Sequence, residues 1–146
     1  MHETLLKTHK FAVERRAFRH PRAGQVQREL VVHPGAVVIV PMWTDQRVVL
    51  IRNYRFAVGK ELLELPAGTL EEGECPPACA SRELEEETGF SAGVVEPLGT
   101  FYTSPGFTDE CMHVFMAALL TQAAQKLDDT EQISVFLGAN YVLTFQ

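Results

Sequence analysis

No stretch of this chain stays apolar over the roughly 18–20 residues that a membrane-spanning helix needs. Its start, Met1-His2-Glu3, lacks the basic and then apolar pattern of a secretory signal. A membrane protein and an exported one are both disfavoured, so a cytoplasmic location is expected. Cysteine is scarce: Cys75, Cys79 and Cys111 make an odd count, which argues against a disulfide framework and for reduced thiols. The Cys75/Cys79 pair has no second pair and no nearby histidine, so a four-ligand zinc site is not indicated. Basic charge is also in short supply. Thirteen Lys+Arg against nineteen Asp+Glu leave a formal charge of −6, whereas a nucleic-acid backbone demands a basic surface. An anionic small molecule remains compatible, provided metal ions or local arginines offset the repulsion. Repeats, low-complexity tracts and linkers are absent as well.

What is present is an ordinary globular composition, 46% hydrophobic and 22% charged. At 146 residues the expectation is a single domain spanning 1–146. Residues 11–18 and 26–32 are rich in β-formers and flank the turn-like His20-Pro21-Arg22-Ala23-Gly24, which predicts an amino-terminal hairpin within 1–34. The apolar runs 36–42 and 47–51 predict central strands, buried on both faces. Residues 61–65 predict a short strand ended by Pro66. Pro76 suits the first turn of a helix and Gly89 the position just past its end, so 76–88 is predicted helical. Strands are expected again over 93–102, 111–119 and 133–137, with loops at 103–110 and 121–132. Strands and one helix in this mixed order imply an α+β domain.

The chemistry concentrates between Gly68 and Phe90. On a helix, Glu83, Glu86 and Glu87 stand at i, i+3 and i+4 and share one face, Pro77, Ala80 and Leu84 mark a neighbouring apolar face, and Glu85 points away from both. Like charges at these spacings destabilise a helix by about 0.2–0.5 kcal/mol per pair, so the cluster calls for a compensating cation. Carboxylates without His or Cys nearby suit a hard divalent ion such as Mg²⁺, which typically shares its shell between a few carboxylates, phosphates and water. An anonymous run of glutamates would more often be a solvated face. Here, however, a Gly-containing loop leads straight into the acidic helix, and nine positions over twenty-three residues follow one pattern.

That pattern, Gly68, five residues, Glu74, seven residues, then Arg82-Glu83-Leu84-Glu85-Glu86-Glu87-Thr88-Gly89-Phe90, resembles the Nudix box at every position. The resemblance extends through His33-Pro34-Gly35-Ala36-Val37, Arg52-Asn53-Tyr54-Arg55, Glu64-Leu65-Pro66-Ala67-Gly68 and Ser104-Pro105-Gly106-Phe107, which together look like the ADP-ribose pyrophosphatase branch. It implies an α/β/α sandwich around a mixed β-sheet and Mg²⁺-dependent hydrolysis (Mn²⁺ as the other candidate) of a nucleoside diphosphate sugar. ADP-ribose, giving AMP and ribose 5-phosphate, leads the substrates. The resemblance makes Glu83, Glu86 and Glu87 metal carboxylates, joined by the Ala67 carbonyl and, through water, Glu71. Glu74 and Arg82 become a bracing ion pair, and Gly68 is structural.

Arg55, at a strand end, is the residue type that grips a phosphate bidentately, although a surface ion pair would look the same in sequence. The resemblance places Pro105, fifteen residues beyond Phe90, at the mark of ADP-ribose hydrolases, and with it Ser104, Gly106 and Phe107. It likewise puts Arg28 and Glu29 around the adenosine half, often from the other subunit of a homodimer. Phe56, Phe101, Tyr102 and Phe107 offer stacking surface for adenine, Phe107 being favoured, whereas aromatics more often build the core. Glu131, in a Glu-x-Ile-x-Val pattern, resembles the loop carboxylate that serves as catalytic base. The branch usually continues into a further helix, while Gly138-Ala139-Asn140 leads here to residues 141–146. Two alternatives stay open: a Nudix hydrolase of another nucleotide sugar, a dinucleoside polyphosphate or a damaged nucleotide, and a sensor that binds ADP-ribose without cutting it.

Overall fold

The computed structural model describes residues 2–44, 47–127 and 132–139. Ten strands and one helix appear among them: β1 His2–Lys7, β2 Ala12–His20, β3 Gly24–Val32, β4 Ala36–Thr44, β5 Arg47–Arg55, β6 Lys60–Glu64, β7 Ala67–Thr69, α1 Pro76–Thr88, β8 Phe90–Tyr102, β9 Cys111–Gln122 and β10 Ile133–Ala139. The strands form two sheets. One is the antiparallel meander β1-β2-β3; the other has the order β10-β5-β4-β9-β8, with β6 added to β5 and β7 to β4. The pairing of β4 with β9 is parallel and the rest of that sheet antiparallel, which makes it mixed.

The expected α+β class, mixed sheet and amino-terminal hairpin are all observed, with α1 as the one helix among the described residues. Two strands were missed. Every residue of β1 is exposed, so it carries no apolar alternation. The three residues of β7 include Gly68, and such a segment reads as a turn until β4 offers it a partner.

Val37 and Ile39 of β4 are fully buried, as are Val49 and Ile51 of β5, in keeping with the continuous apolar runs. Proline is rarely tolerated in a central strand because it cannot donate to the ladder. Pro41 escapes the penalty through its position. Ile39 N–H donates toward the β7 side, to Pro66 C=O at 2.8 Å. Two residues on, the Pro41 nitrogen faces the same side, where β4 has left β7 at Val38 and meets β5 only from Met42.

Helix α1 begins at Cys75, whose backbone is extended, with Pro76 in the first turn, and it ends at Gly89 in the left-handed region (φ 69°), whose N–H returns to Glu85 C=O. Cys79, Ala80 and Leu84 bury against Val37, Ile39, Phe115 and Ala117, forming the main core cluster. Pro77, expected on this apolar face, is exposed instead. The packed layer begins two residues further on, at Cys79.

The two sheets are joined at the end of β3. Val31 N–H donates to Phe107 C=O at 2.8 Å, Asp109 N–H to Val31 C=O at 3.1 Å, and His33 N–H to the Asp109 carboxylate at 2.8 Å. The 103–110 loop is thereby fastened to the amino-terminal sheet. No helix among the described residues is long and apolar enough to cross a membrane.

Candidate active site

The carboxylate face of α1 is turned toward the backbone of β7. Glu87 is 3% exposed, and its Oε2 accepts the Ala67 N–H at 2.9 Å. A buried carboxylate is tolerated only when hydrogen bonds replace water. The Glu83 carboxylate lies directly on Gly68, where any Cβ would overlap it. Gly68 is thus demanded by close approach rather than by its φ, and the two chemically distinct ends of the motif, loop glycine and helix acid, are one contact.

Arg82 is the hub of the charges. Its Nε and Nη2 donate to the two oxygens of Glu74, both at 2.9 Å, and Nη1 bridges Glu83 Oε1 at 2.8 Å and Glu86 Oε2 at 2.9 Å. Nη2 also reaches the Thr69 carbonyl. This bidentate fork holds the Glu74 carboxyl down at about 2, and the same partners push the guanidinium further up from its already high value. Glu74 also accepts the N–H of Glu71, so the ion pair ties the loop to the helix. Beside it the Cys79 thiol is pushed up to about 12, by burial first and by Glu74 second, which keeps it protonated. All three cysteines are free.

A cleft of about 240 Å³ opens over this face. Glu71, Glu83, Glu86, Glu87, Ala67, Gly68 and Arg55 all line it, so every metal-site candidate and the diphosphate candidate meet in one place. Arg55 makes a surface ion pair and also lines the cleft. It faces the cleft and is clasped by Glu64, with Nη2 donating to Oε2 at 2.7 Å and Nε to both oxygens at 3.1 Å. Glu85 is directed elsewhere, to the Lys126 ammonium at 2.9 Å.

Four further residues line the cleft to which sequence reasoning gave no role: Lys10, Asn53, Thr69 and Lys126. Asn53 is buried on β5, two residues before Arg55, and the alternation along that strand could have found it. Nothing local marks the two lysines. Lys126 belongs to segment 123–127, which satisfies the carboxyl end of α1: Lys126 N–H donates to Glu86 C=O, the Gln125 amide to Glu87 C=O at 2.7 Å, and Ala123 N–H to Gly89 C=O.

The other substrate candidates gather elsewhere. Arg28, Glu29, Pro105, Gly106 and Phe107 line a second cleft of about 370 Å³, which shares no residue with the first. Ser104 is not among its walls; its carbonyl accepts the N–H groups of Phe107 and Thr108 and so builds the turn that presents Phe107. Arg15 Nε donates to Glu29 at 2.9 Å and lowers that carboxyl below the usual range. Phe56, Phe101, Tyr102 and Phe107 are all exposed rather than core, and of the four Phe107 is the one that lines either of these two clefts. Glu131 lies outside the described residues.

The donors that meet in the first cleft are carboxylate and backbone oxygens with no His or Cys, the chemistry of a hard divalent cation. Among the described residues no three acidic, His or Cys side chains converge into a metal cage. Arg82 Nη1 stands between Glu83 and Glu86 and offsets the mutual repulsion of the two carboxylates. The oxygen donors present fit such an ion in chemical kind.

Comparison with known proteins agrees with this geometry. Over 117 residues the chain is 41% identical to an ADP-ribose pyrophosphatase of Bacillus subtilis, covering 79% of this chain and 63% of that protein. Over 137 residues it is 39% identical to an ADP-ribose pyrophosphatase of Mycobacterium tuberculosis, covering 93% and 66%. It thus spans only 63–66% of the length of these curated relatives. A solved structure described as an ADP compounds hydrolase superposes with a TM-score of 0.81 at 26% identity, over 95% of this chain and 76% of that one. Residues 32–140 match the model of the NUDIX domain, a span that holds both the carboxylate helix and the sheet it packs on. On that match, the chain belongs to the NUDIX domain family.

Proposed function

We propose that this chain hydrolyses the diphosphate link of a nucleoside diphosphate sugar, ADP-ribose foremost, to AMP and ribose 5-phosphate, with Mg²⁺ or Mn²⁺ as the required ion. The observation that carries the reading is the convergence of Glu83, Glu86 and Glu87 with Arg55 in one cleft. Relatives named for ADP-ribose and ADP-sugar hydrolysis support it. Glu83, Glu86, Glu87 and the Ala67 carbonyl would hold the cation, which when bound neutralises the diphosphate and lowers the pKa of water. Arg55, oriented by Glu64, binds phosphate oxygens through its fork. Glu87 is kept in place by the Ala67 N–H, so the acid needs no reorganisation when substrate arrives. Arg82 and Glu74 hold loop and helix in register and take no part in bond breaking. Glu131 is our candidate for the base that accepts the water's proton.

The second cleft, with Phe107, Arg28 and Glu29, suits the adenosine end, its exposed aromatic face offering a stacking surface. Because the two clefts share no wall, we assign the adenosine end of each substrate to the second cleft of a partner subunit in a homodimer.

Incubation of ADP-ribose with the protein and Mg²⁺, with products resolved by chromatography, tests the reading: AMP and ribose 5-phosphate are expected in equal amounts. Efficient cleavage of another nucleotide sugar, a dinucleoside polyphosphate or a damaged nucleotide with ADP-ribose ignored would overturn the substrate. Tight ADP-ribose binding without turnover of any compound would make the chain a sensor.

A further inference from the structure

Four cations line the carboxylate cleft, and three are already matched. Arg55 is clasped by Glu64, Arg82 by Glu74, Glu83 and Glu86, and Lys126 by Glu85. The fourth, Lys10, makes no ion pair or side-chain hydrogen bond among the described residues. It does not come from the sheet that carries the helix. It belongs to the turn between β1 and β2, a segment of the amino-terminal sheet.

That turn is built to hold its shape. Thr8 Oγ1 donates to Phe11 C=O at 2.8 Å and accepts the N–H groups of Lys10 at 3.2 Å and Phe11 at 3.0 Å. Thr8 N–H adds a bond to the same carbonyl at 2.9 Å. One hydroxyl thus organises the backbone on both sides of Lys10. A lysine on an ordinary exposed turn would be free to wave in water, and its charge would count for little. Here the backbone beside it is fixed, and Lys10, though exposed, lines the cleft that holds the carboxylates, an ammonium with no ion-pair partner among the described residues beside the place where a diphosphate would lie.

From this we infer that Lys10 is a substrate-binding residue, an ammonium that the amino-terminal sheet supplies in cis to the phosphate oxygens of a nucleoside diphosphate. The inference rests on the proposed hydrolysis for its choice of anion. It also gives the amino-terminal sheet a part in the first cleft, besides its walls in the second. Removing the charge weakens capture of substrate and leaves the bond-breaking groups untouched.

Steady-state kinetics on ADP-ribose with Mg²⁺ separate the two effects. Lys10→Ala is expected to raise KM about tenfold with kcat changed less than about twofold, the size of one lost charge-assisted contact. Lys10→Arg restores KM, and Thr8→Val, which loosens the turn, raises it part of the way. Lys7→Ala, an exposed lysine on β1 that does not line the cleft, leaves KM unchanged. The wild-type KM rises with salt more steeply than that of Lys10→Ala, because a phosphate contact is screened. An unchanged KM in Lys10→Ala, or an equal rise in Lys7→Ala, overturns the inference. If the wild type cleaves no ADP-ribose, the proposed reaction fails on its own. Lys10 is then judged by calorimetric titration with ADP and Mg²⁺: weaker binding by Lys10→Ala sustains the inference, while equal binding, or none by the wild type, overturns it.

Discussion

Glu85 and Glu87 are two residues apart in a run of three glutamates, yet one pairs with a lysine and the other is buried against a backbone amide. Glu87→Gln keeps the shape and removes the charge that would hold the cation, so kcat should fall by about 10²–10³, the usual loss for a preorganised electrostatic group. Glu85→Gln, which loses one partly exposed ion pair, should change kcat less than about threefold. Equal losses in the two variants, measured on ADP-ribose, would refute the assignment of faces. Gly68 offers a second test. In Gly68→Ala the new methyl meets the far end of the flexible Glu83 side chain, which can swing aside. The melting temperature should therefore stay within a few degrees, while activity drops about tenfold or more because a carboxylate proposed to hold the metal has been displaced. A large loss of stability with normal specific activity would contradict this. The identity of Glu83, Glu86 and Glu87 as a set was legible from their spacing, since helical geometry alone puts them on one face. Lys10 and Lys126 were not, because each reaches the cleft from a different element and neither has a local signature.

At the scale of elements, α1 and the loop before it are tied by the Glu74–Arg82 fork. Glu74 titrates at about 2 in the fold against an ordinary 4.5. A depressed carboxyl stabilises the folded state fully above the higher of those values and loses that contribution as pH falls from about 4.5 through about 2. Melting temperature should thus decline over this acid window in the wild type, and Glu74→Gln should be less stable at pH 7 with a flatter acid decline; parallel curves would show that the pair is not the cause. The bounds of α1 were legible because its stop signals are chemical. Pro76 cannot extend a helix backward, and Gly89 accepts the left-handed backbone that ends one. β1 and β7 were illegible for the opposite reason. Each is a strand only by virtue of its neighbour, β1 having no buried side and β7 only three residues.

For the whole molecule, the join between the sheets matters most. Asp109 accepts the His33 N–H and donates its own to Val31, holding the loop that carries Pro105, Gly106 and Phe107 to β3. Asp109→Ala leaves the His33 N–H without its acceptor, at a cost of about 1–3 kcal/mol. Faster amide exchange should then appear in both β3 and the 103–110 loop; confinement of the change to one of them would mean that the two do not move as a unit. The sequence by itself determined the helix, its acidic face and the buried strands, all of which follow from periodicity and local stop signals, while the bracing pair was implied by the resemblance alone. Only the tertiary structure decided that Glu83 rests on Gly68, that Arg55 faces the carboxylates while Arg28, Glu29 and Phe107 form a separate cleft, and that Lys10 joins the first. Such placements depend on how sheets pack and which strands become neighbours, a property of the whole energy balance that no local pattern of residues records.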